Sequence, residues 1–324
     1  MTTRALVLGV NGQDGSYLAE QLLARGHTVI GVGRQSDSRY LTDEARFEYT
    51  SLDLTDLRGL DRLLEARRPD LLCHFAAVHG PAGFAYEPLW RELQLVNVVV
   101  THCLLEHLRS RAPEGHLLFP SSSKVFGSQL PALVSEATPR VSSCLYSITK
   151  NASHKLIDHY RNRHGVGATV VHLFNHESPR RLDGFLIPKL VKVVGQALSG
   201  AEGKVEVRTL DFHATWGDAR EFMDLCSELA EGRVDVDVIM AHERTWYGSD
   251  FVEALYTRHG LDHREHVSVR EQGSRSMRFD VDTGRLDRLL NRRPTRGILD
   301  VCDDILREYR SRMTPDGTSE PRDA

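Results

Sequence analysis

The sequence predicts an α/β fold, a parallel sheet wound on both faces with a smaller C-terminal part, on three observations. Short apolar runs alternate with helical patterns from Arg4 to about Met240, the order that builds parallel sheets. A glycine-rich turn joins the first run to the first helical pattern. Later, Tyr146 and Lys150 stand four residues apart in a helical segment, and so share one face of it.

The first run, Arg4-Ala5-Leu6-Val7-Leu8, enters Gly9-Val10-Asn11-Gly12-Gln13-Asp14-Gly15, and a helix follows with Tyr17, Leu18, Leu22 and Leu23, closing at Arg25-Gly26. Glycines every third residue let backbone approach a pyrophosphate, which then lies at the positive end of the helix. Gly9, Gly12, Gln13, Asp14 and Gly15 are therefore expected to bind a dinucleotide in a Rossmann-type fold. The second strand, Thr28 to Val32, is followed by Gly33-Arg34. An Arg here suits a 2'-phosphate, where an acidic residue would suit bare ribose, so NADP is expected in preference to NAD. A third strand, Glu48 to Leu54, is expected to end at Asp53, with Asp53 and Leu54 beside the adenine. A helix spans 57–67. The fourth strand, Pro69 to Ala77, ends in the small residues Ala76 and Ala77, which let cofactor lie against backbone. Leu93 to Arg109 reads as one helix carrying Asn97.

A strand from His116 opens into Ser121-Ser122-Ser123-Lys124-Val125-Phe126-Gly127. The Tyr146 helix runs to His164-Gly165, where glycine ends it. A cation held near a phenol favours phenolate, which is what a base needs to take an alcohol proton. Lys150 is expected to lower the pKa of Tyr146 in this way. Ala168 to Leu173 is the next strand, and it leads into Phe174-Asn175-His176-Glu177-Ser178-Pro179-Arg180-Arg181.

Composition narrows the classes. The chain has 324 residues, 40% hydrophobic and 27% charged, enough for a two-part enzyme with a large core. A net charge of -4 gives no general attraction to nucleic acid or anionic membrane. The five cysteines are scattered and read as reduced core residues. No apolar run reaches membrane-spanning length, and a strand beginning at residue 4 leaves no room for a signal peptide, so a cytoplasmic protein is expected. His172 and His176 come closest to a metal-ligand spacing, but a structural role is favoured and no metal is expected.

The glycine turn together with the later Tyr-x-x-x-Lys resembles the extended short-chain dehydrogenase/reductase superfamily. Asn175 to Arg181, with Gly12-Gln13-Asp14-Gly15-Ser16-Tyr17-Leu18-Ala19-Glu20 and Trp216-Gly217-Asp218-Ala219, narrows the resemblance to the GDP-mannose 4,6-dehydratase family. The similarity covers about residues 4–240, and beyond it only the layout persists. The resemblance implies oxidation of a sugar C4 hydroxyl by NADP. Tyr146 would be the base, Ser122 a hydrogen-bond partner, and Lys150 the group that holds both ribose and phenol. The C4 ketone acidifies the C5 proton, water leaves from C6, and the hydride returns. Substrate contacts are expected from Ser123, Asn175, Glu177, Lys189, Arg208 and Arg275, and a homodimer or homotetramer from the Tyr146 helix. The layout implies a dinucleotide-binding domain over 1–177 with a return to the sheet near 205–243. A smaller C-terminal substrate-binding domain would take 178–204 and 244–313, and 314–324 would be a disordered tail.

The chain departs from that family at three places. Where the family has a Glu for the C5 step, this chain has Lys124, and an ammonium is no base unless burial lowers its pKa by several units. Lys124 is open to other roles: stabilising an enolate, protonating a leaving group, or forming an ion pair. Two arginines that grip the diphosphate in the family are replaced around His213-Ala214-Thr215 and Gln272-Gly273-Ser274-Arg275. A nucleotide-sugar 4-epimerase or a 4-ketosugar reductase would need only Ser122, Tyr146 and Lys150. A non-catalytic cofactor-binding paralogue is the remaining reading.

Overall fold

Strands that are apolar on both faces leave a sheet no solvated side, so helices must cover both. In β1 (Arg4–Leu8) alternation does the sorting: Ala5 and Val7 join the core under α1 (Gln13–Ala24), while Leu6 and Leu8 join the opposite core. The computed structural model describes residues 3–313 except 43, 272, 274 and 275. Arg275 and the segment 314–324 lie outside the described residues.

In chain order there follow β2 (Thr28–Gly33), β3 (Phe47–Ser51), α2 (Leu57–Arg67), β4 (Leu71–His74), α3 (Trp90–Gln94), α4 (Val100–Arg111), β5 (His116–Ser122), β6 (Leu133–Val134), α5 (Leu145–His164) and β7 (Gly167–Leu173). The remainder is β8 (Asn175–Glu177), α6 (Leu186–Leu198), β9 (Val205–Val207), β10 (His213–Asp218), α7 (Ala219–Gly232), β11 (Val236–Met240), β12 (Thr245–Tyr247), α8 (Gly248–Arg258), β13 (Val267–Val269), β14 (Asp280–Val281), α9 (Gly284–Leu290) and α10 (Ile298–Met313).

Seven parallel strands lie in the order β11-β7-β5-β4-β1-β2-β3. α1 and α7 cover one face, and α2, α4 and α5 the other. The chain runs outward from β1 to β3 and then restarts on the far side of β1 at β4. That reversal opens a crevice at the carboxyl ends of β1 and β4, where ligands of such sheets bind. A third core forms between α6, α8 and α10. Beside it lie a three-stranded sheet, β12-β10-β8, and a pair, β13-β9.

Three elements differ from expectation, and the simplest is β4, which covers Leu71–His74 and not the whole of Pro69 to Ala77. β3 stops at Ser51, short of Asp53, because the Asp53 carboxylate turns back to accept hydrogen bonds from Thr55 N and Oγ1, both at 2.8 Å. The helix expected over 93–109 starts at Trp90 and passes through a π turn at Leu95–Val99 between α3 and α4. Within that turn the Asn97 carbonyl accepts from Ser153 Oγ (2.6 Å) and Thr101 Oγ1 (3.0 Å), and its side chain bonds Val78 N and Thr149 Oγ1. A π turn at a point of tertiary bonding is a common sign of a functional position.

Candidate active site

The turn after β1 is built for close approach. Gly9 has φ +86, and a Cβ there would meet Ala76 N at 2.6 Å; one on Gly15 would meet Gly9 O at 2.3 Å. Gly12 begins α1 without a side-chain cap, which leaves the positive end of the helix to an anionic ligand. These features fit a dinucleotide pyrophosphate. Arg34 is exposed directly after β2, and the loop beyond it is pinned by Asn11, which bonds Gln35, the Asp37 carbonyl and Arg39 N. The Asp53 carboxyl is lowered by the Thr55 hydrogen bonds, with Arg34 helping. Leu54 is buried in the core, Ala76 is half-buried and Ala77 exposed beyond β4.

On α5 both Tyr146 and Lys150 are buried. Lys150 Nζ donates to the Pro120 carbonyl at 2.8 Å and lies 5.9 Å from the Tyr146 ring centre. Burial brings the Lys150 pKa down to about 7, with Asp14 opposing. The phenol does not follow the expectation that Lys150 would lower it. Burial, then Tyr86 and Asp14, push it well above the usual tyrosine value, against a smaller opposing pull from Arg181. The ammonium is committed to a carbonyl, and the phenol is walled in by rings: His79 stacks on it at 4.4 Å and Tyr86 at 6.2 Å. Ser122, half-buried at the end of β5, accepts from Lys124 N at 3.3 Å, and Ser123 follows it. Lys124 Nζ is 5.9 Å from the Tyr146 ring centre. Burial lowers its pKa, Cys144 opposes, and Arg181 adds to the lowering.

His79 and Tyr86 carried no signal in the sequence, since they sit in an aperiodic loop after β4. They bond each other, Nδ1 to OH, at 2.8 Å. Burial holds the His79 pKa at about 3, with Lys124, Arg181 and Lys150 adding to the effect, so this imidazole is neutral beside Tyr146. Arg181, the last residue of the Asn175–Arg181 segment, is likewise a residue of the site that spacing does not single out. Its guanidinium stacks on Phe185 at 3.6 Å, and Nε lies 3.4 Å from Glu177 Oε2. Burial raises the Glu177 carboxyl, and Arg181 and His176 pull it back in part.

Two of the three segments that carry the family resemblance, Gly12–Glu20 and Asn175–Arg181, prove to be one contact. His176 Nε2 meets Asp14 Oδ1 at 2.9 Å, Ser178 Oγ donates to Gln13 Oε1 at 2.8 Å, and Arg180 bonds Ser16 Oγ and Glu20. Arg180 also lies between the rings of Tyr17 (4.0 Å) and Tyr40 (4.3 Å). Burial alone would raise the Asp14 carboxyl, but the charge and hydrogen bond of His176 hold it at about 2. Asn175, Lys189 and Arg208 are exposed, and Arg208 faces Glu271 at 3.6 Å. Among the described residues no hydrogen bond or ion pair joins these three to Ser122, Tyr146 or Lys150. His172 stands beside His154 and Asp237, whose ligand atoms all lie within 4.8 Å of one another. Arg161 at 2.7 Å and Arg140 at 3.6 Å already pair with Asp237, so the cluster is an ion-pair network that would set two guanidiniums against a cation.

Residues 6–294 match the family described as GDP-mannose 4,6 dehydratase. GDP-mannose 4,6 dehydratase 1 of Arabidopsis thaliana is 30% identical over 295 residues, which cover 85% of this chain and 80% of that one. The UDP-glucose 4-epimerase of Thermotoga maritima, solved with UDP-glucose, superimposes with a TM-score of 0.82 at 17% identity, over 96% of this chain and 99% of that one. The dTDP-glucose 4,6-dehydratase of Bacillus anthracis, solved with NAD, gives 0.80 at 18% identity over 96% and 97%. At such identities the solved structures speak for a shared fold, whereas the family match spans most of the sequence. The chain belongs to the GDP-mannose 4,6-dehydratase family, within the extended short-chain dehydrogenases/reductases.

Proposed function

We propose that this protein transiently oxidises C4 of a nucleotide-linked sugar, a GDP-sugar by family, using NADP in preference to NAD. The observation that carries the reading is the pair Tyr146 and Lys150 on α5, 5.9 Å apart from ring centre to Nζ, with Lys150 bonded to Pro120 of β5, the strand that ends at Ser122, beside a glycine turn shaped for pyrophosphate. A bound nicotinamide dinucleotide supplies the acceptor and donor of hydride. Ser122 and Tyr146 hold the sugar oxygen. Tyr146, protonated in the ligand-free site, becomes a base when its surroundings gain positive charge. Lys150 supplies part of that charge, and its lowered pKa makes its protonation responsive near neutrality. Arg34, exposed after β2, supports a 2'-phosphate and hence NADP.

We assign the substrate-binding part to 178–204 and 244–313, supported by the separate core of α6, α8 and α10, and take Ser123, Asn175, Glu177, Lys189, Arg208 and Arg275 as the substrate contacts. A homodimer or homotetramer working in the cytoplasm accords with the family resemblance. Ile148 on α5 is 41% exposed, an apolar contact for such an assembly. Among the described residues, no helix is long and apolar enough to cross a membrane.

One observation favours a second reading. Lys124 stands where dehydration calls on a carboxylate, so net 4-epimerisation or 4-ketosugar reduction fits the surviving trio equally. Incubating GDP-mannose in heavy water with the protein and NADP, with NAD in parallel, separates dehydration from 4-epimerisation by NMR, and oxidation of NADPH by a GDP-4-keto sugar reads the reduction. A deuterated 4-keto-6-deoxy sugar is expected for dehydration, and a changed C4 configuration for epimerisation. Faster turnover with NADP than with NAD supports the cofactor preference. Full activity of Tyr146→Phe would overturn the catalytic reading.

A further inference from the structure

Three cations surround Tyr146, and among the described residues one of them has no hydrogen-bond or ion-pair partner. Lys150 is bonded to the Pro120 carbonyl, and Arg181 lies against Glu177 and the Phe185 ring. Lys124 is half-buried, yet among the described residues its ammonium makes no hydrogen bond and no ion pair. Its surroundings are the Tyr146 ring, the Cys144 thiol and the Arg181 guanidinium, none of which neutralises it. The carboxylates of this region are engaged elsewhere, Asp14 with His176 at 2.9 Å and Glu177 with Arg181 at 3.4 Å. His79, the nearest titratable ring to Tyr146, is neutral. A charge drawn out of water without a counter-charge is costly, so a pocket that retains one gains by receiving its partner with the ligand.

We propose that the sugar accepted here carries a carboxylate of its own, in addition to the diphosphate, and that Lys124 pairs with it. The inference rests on the reading of this site as one for nucleotide sugars. Lys124 leans on the ring of Tyr146, whose hydroxyl meets the reacting sugar oxygen, and it therefore faces the sugar and not the nucleotide. A cation in the place of a carboxylate also repels nothing that an acidic sugar brings, whereas a Glu would. Specificity for a hexuronate over a hexose thus follows from a single exchange of charge.

Calorimetric titration of the NADP-loaded full chain tests this with two matched pairs: GDP-mannose against GDP-mannuronate, and UDP-glucose against UDP-glucuronate. In at least one pair the uronate is expected to bind on the order of tenfold more tightly than its hexose. Lys124→Gln is expected to erase that difference, and Lys124→Glu to reverse it. Hexose binding equal to or tighter than uronate binding in both pairs overturns the proposal and leaves the nucleotide-sugar reading standing. A Lys124→Gln change that weakens hexose and uronate by the same factor assigns Lys124 to the diphosphate, and also overturns it. No binding of any of the four ligands removes both readings together. The comparison within each pair uses the wild-type chain, so it does not depend on the variants folding.

Discussion

At Lys150 burial outweighs every favourable contact. The side chain keeps its hydrogen bond to Pro120, yet its pKa falls to about 7. In the unfolded chain a lysine holds its proton until about pH 10.4, so between those two values the unfolded state binds the extra proton. The cost of the buried charge is complete below pH 7 and fades as the pH rises toward 10. Lys150→Met removes the titration. Its unfolding free energy relative to wild type is expected to be highest near pH 6 and to fall by about 2–4 kcal/mol by pH 10, measured by urea denaturation. A difference that stays flat with pH would show that Lys150 titrates normally. The sequence showed that Tyr146 and Lys150 share a helix face, because that is a matter of spacing. It did not show what closes over them, since His79 and Tyr86 arrive from a loop without periodicity. The phenol shift runs opposite to the sequence expectation for the same reason: it depends on walls and not on spacing.

Elements were legible where local chemistry sets them. α2 was placed residue for residue, and Gly165 ends α5 with φ 68, as a left-handed helix stop requires. The π turn at Leu95–Val99 was not legible, because partners distant in sequence, Ser153 and Thr149, draw out the Asn97 carbonyl and side chain. The two signature segments were each visible, but their union was not, since nothing local tells α1 that it will face residues 176–180. Arg180 is the strongest joint of that union, with two hydrogen-bond partners and two aromatic faces. Arg180→Ala is expected to cost about 1–3 kcal/mol of stability, from the stacking and the charged hydrogen bonds together. It is also expected to weaken NADP binding, because α1 carries the glycine turn. Arg180→Lys recovers less than half of either loss, since an ammonium cannot span Ser16 and Glu20 while stacked between rings. Chemical denaturation and cofactor titration read both effects, and an alanine variant as stable as wild type would show that the joint stabilises nothing.

Over the whole molecule, the alternation of strands and helices was enough to place a parallel sheet with helices on both faces, because strands apolar on both sides admit no other cover. How the smaller part assembles was beyond that logic, for apart from β10 its strands are two or three residues long, and they pair across large separations, as β9 does with β13. One extension links the two parts. β7 passes through Phe174 into β8, which pairs with β10 in the small sheet, while His176, Ser178 and Arg180 of the same segment grip α1. A dinucleotide on the glycine turn and a nucleotide sugar on the smaller part would therefore bias the same strand. Their affinities are expected to be coupled, and linkage requires the coupling to be reciprocal. NADP is expected to tighten GDP-mannose binding by about 5-fold or more, and GDP-mannose to tighten NADP by the same factor, in calorimetric titrations run in both orders. Arg180→Ala, which cuts one side of the link, is expected to bring that factor toward one. Equal affinities with and without the second ligand in the wild-type chain would mean that the shared strand is already fixed before either arrives.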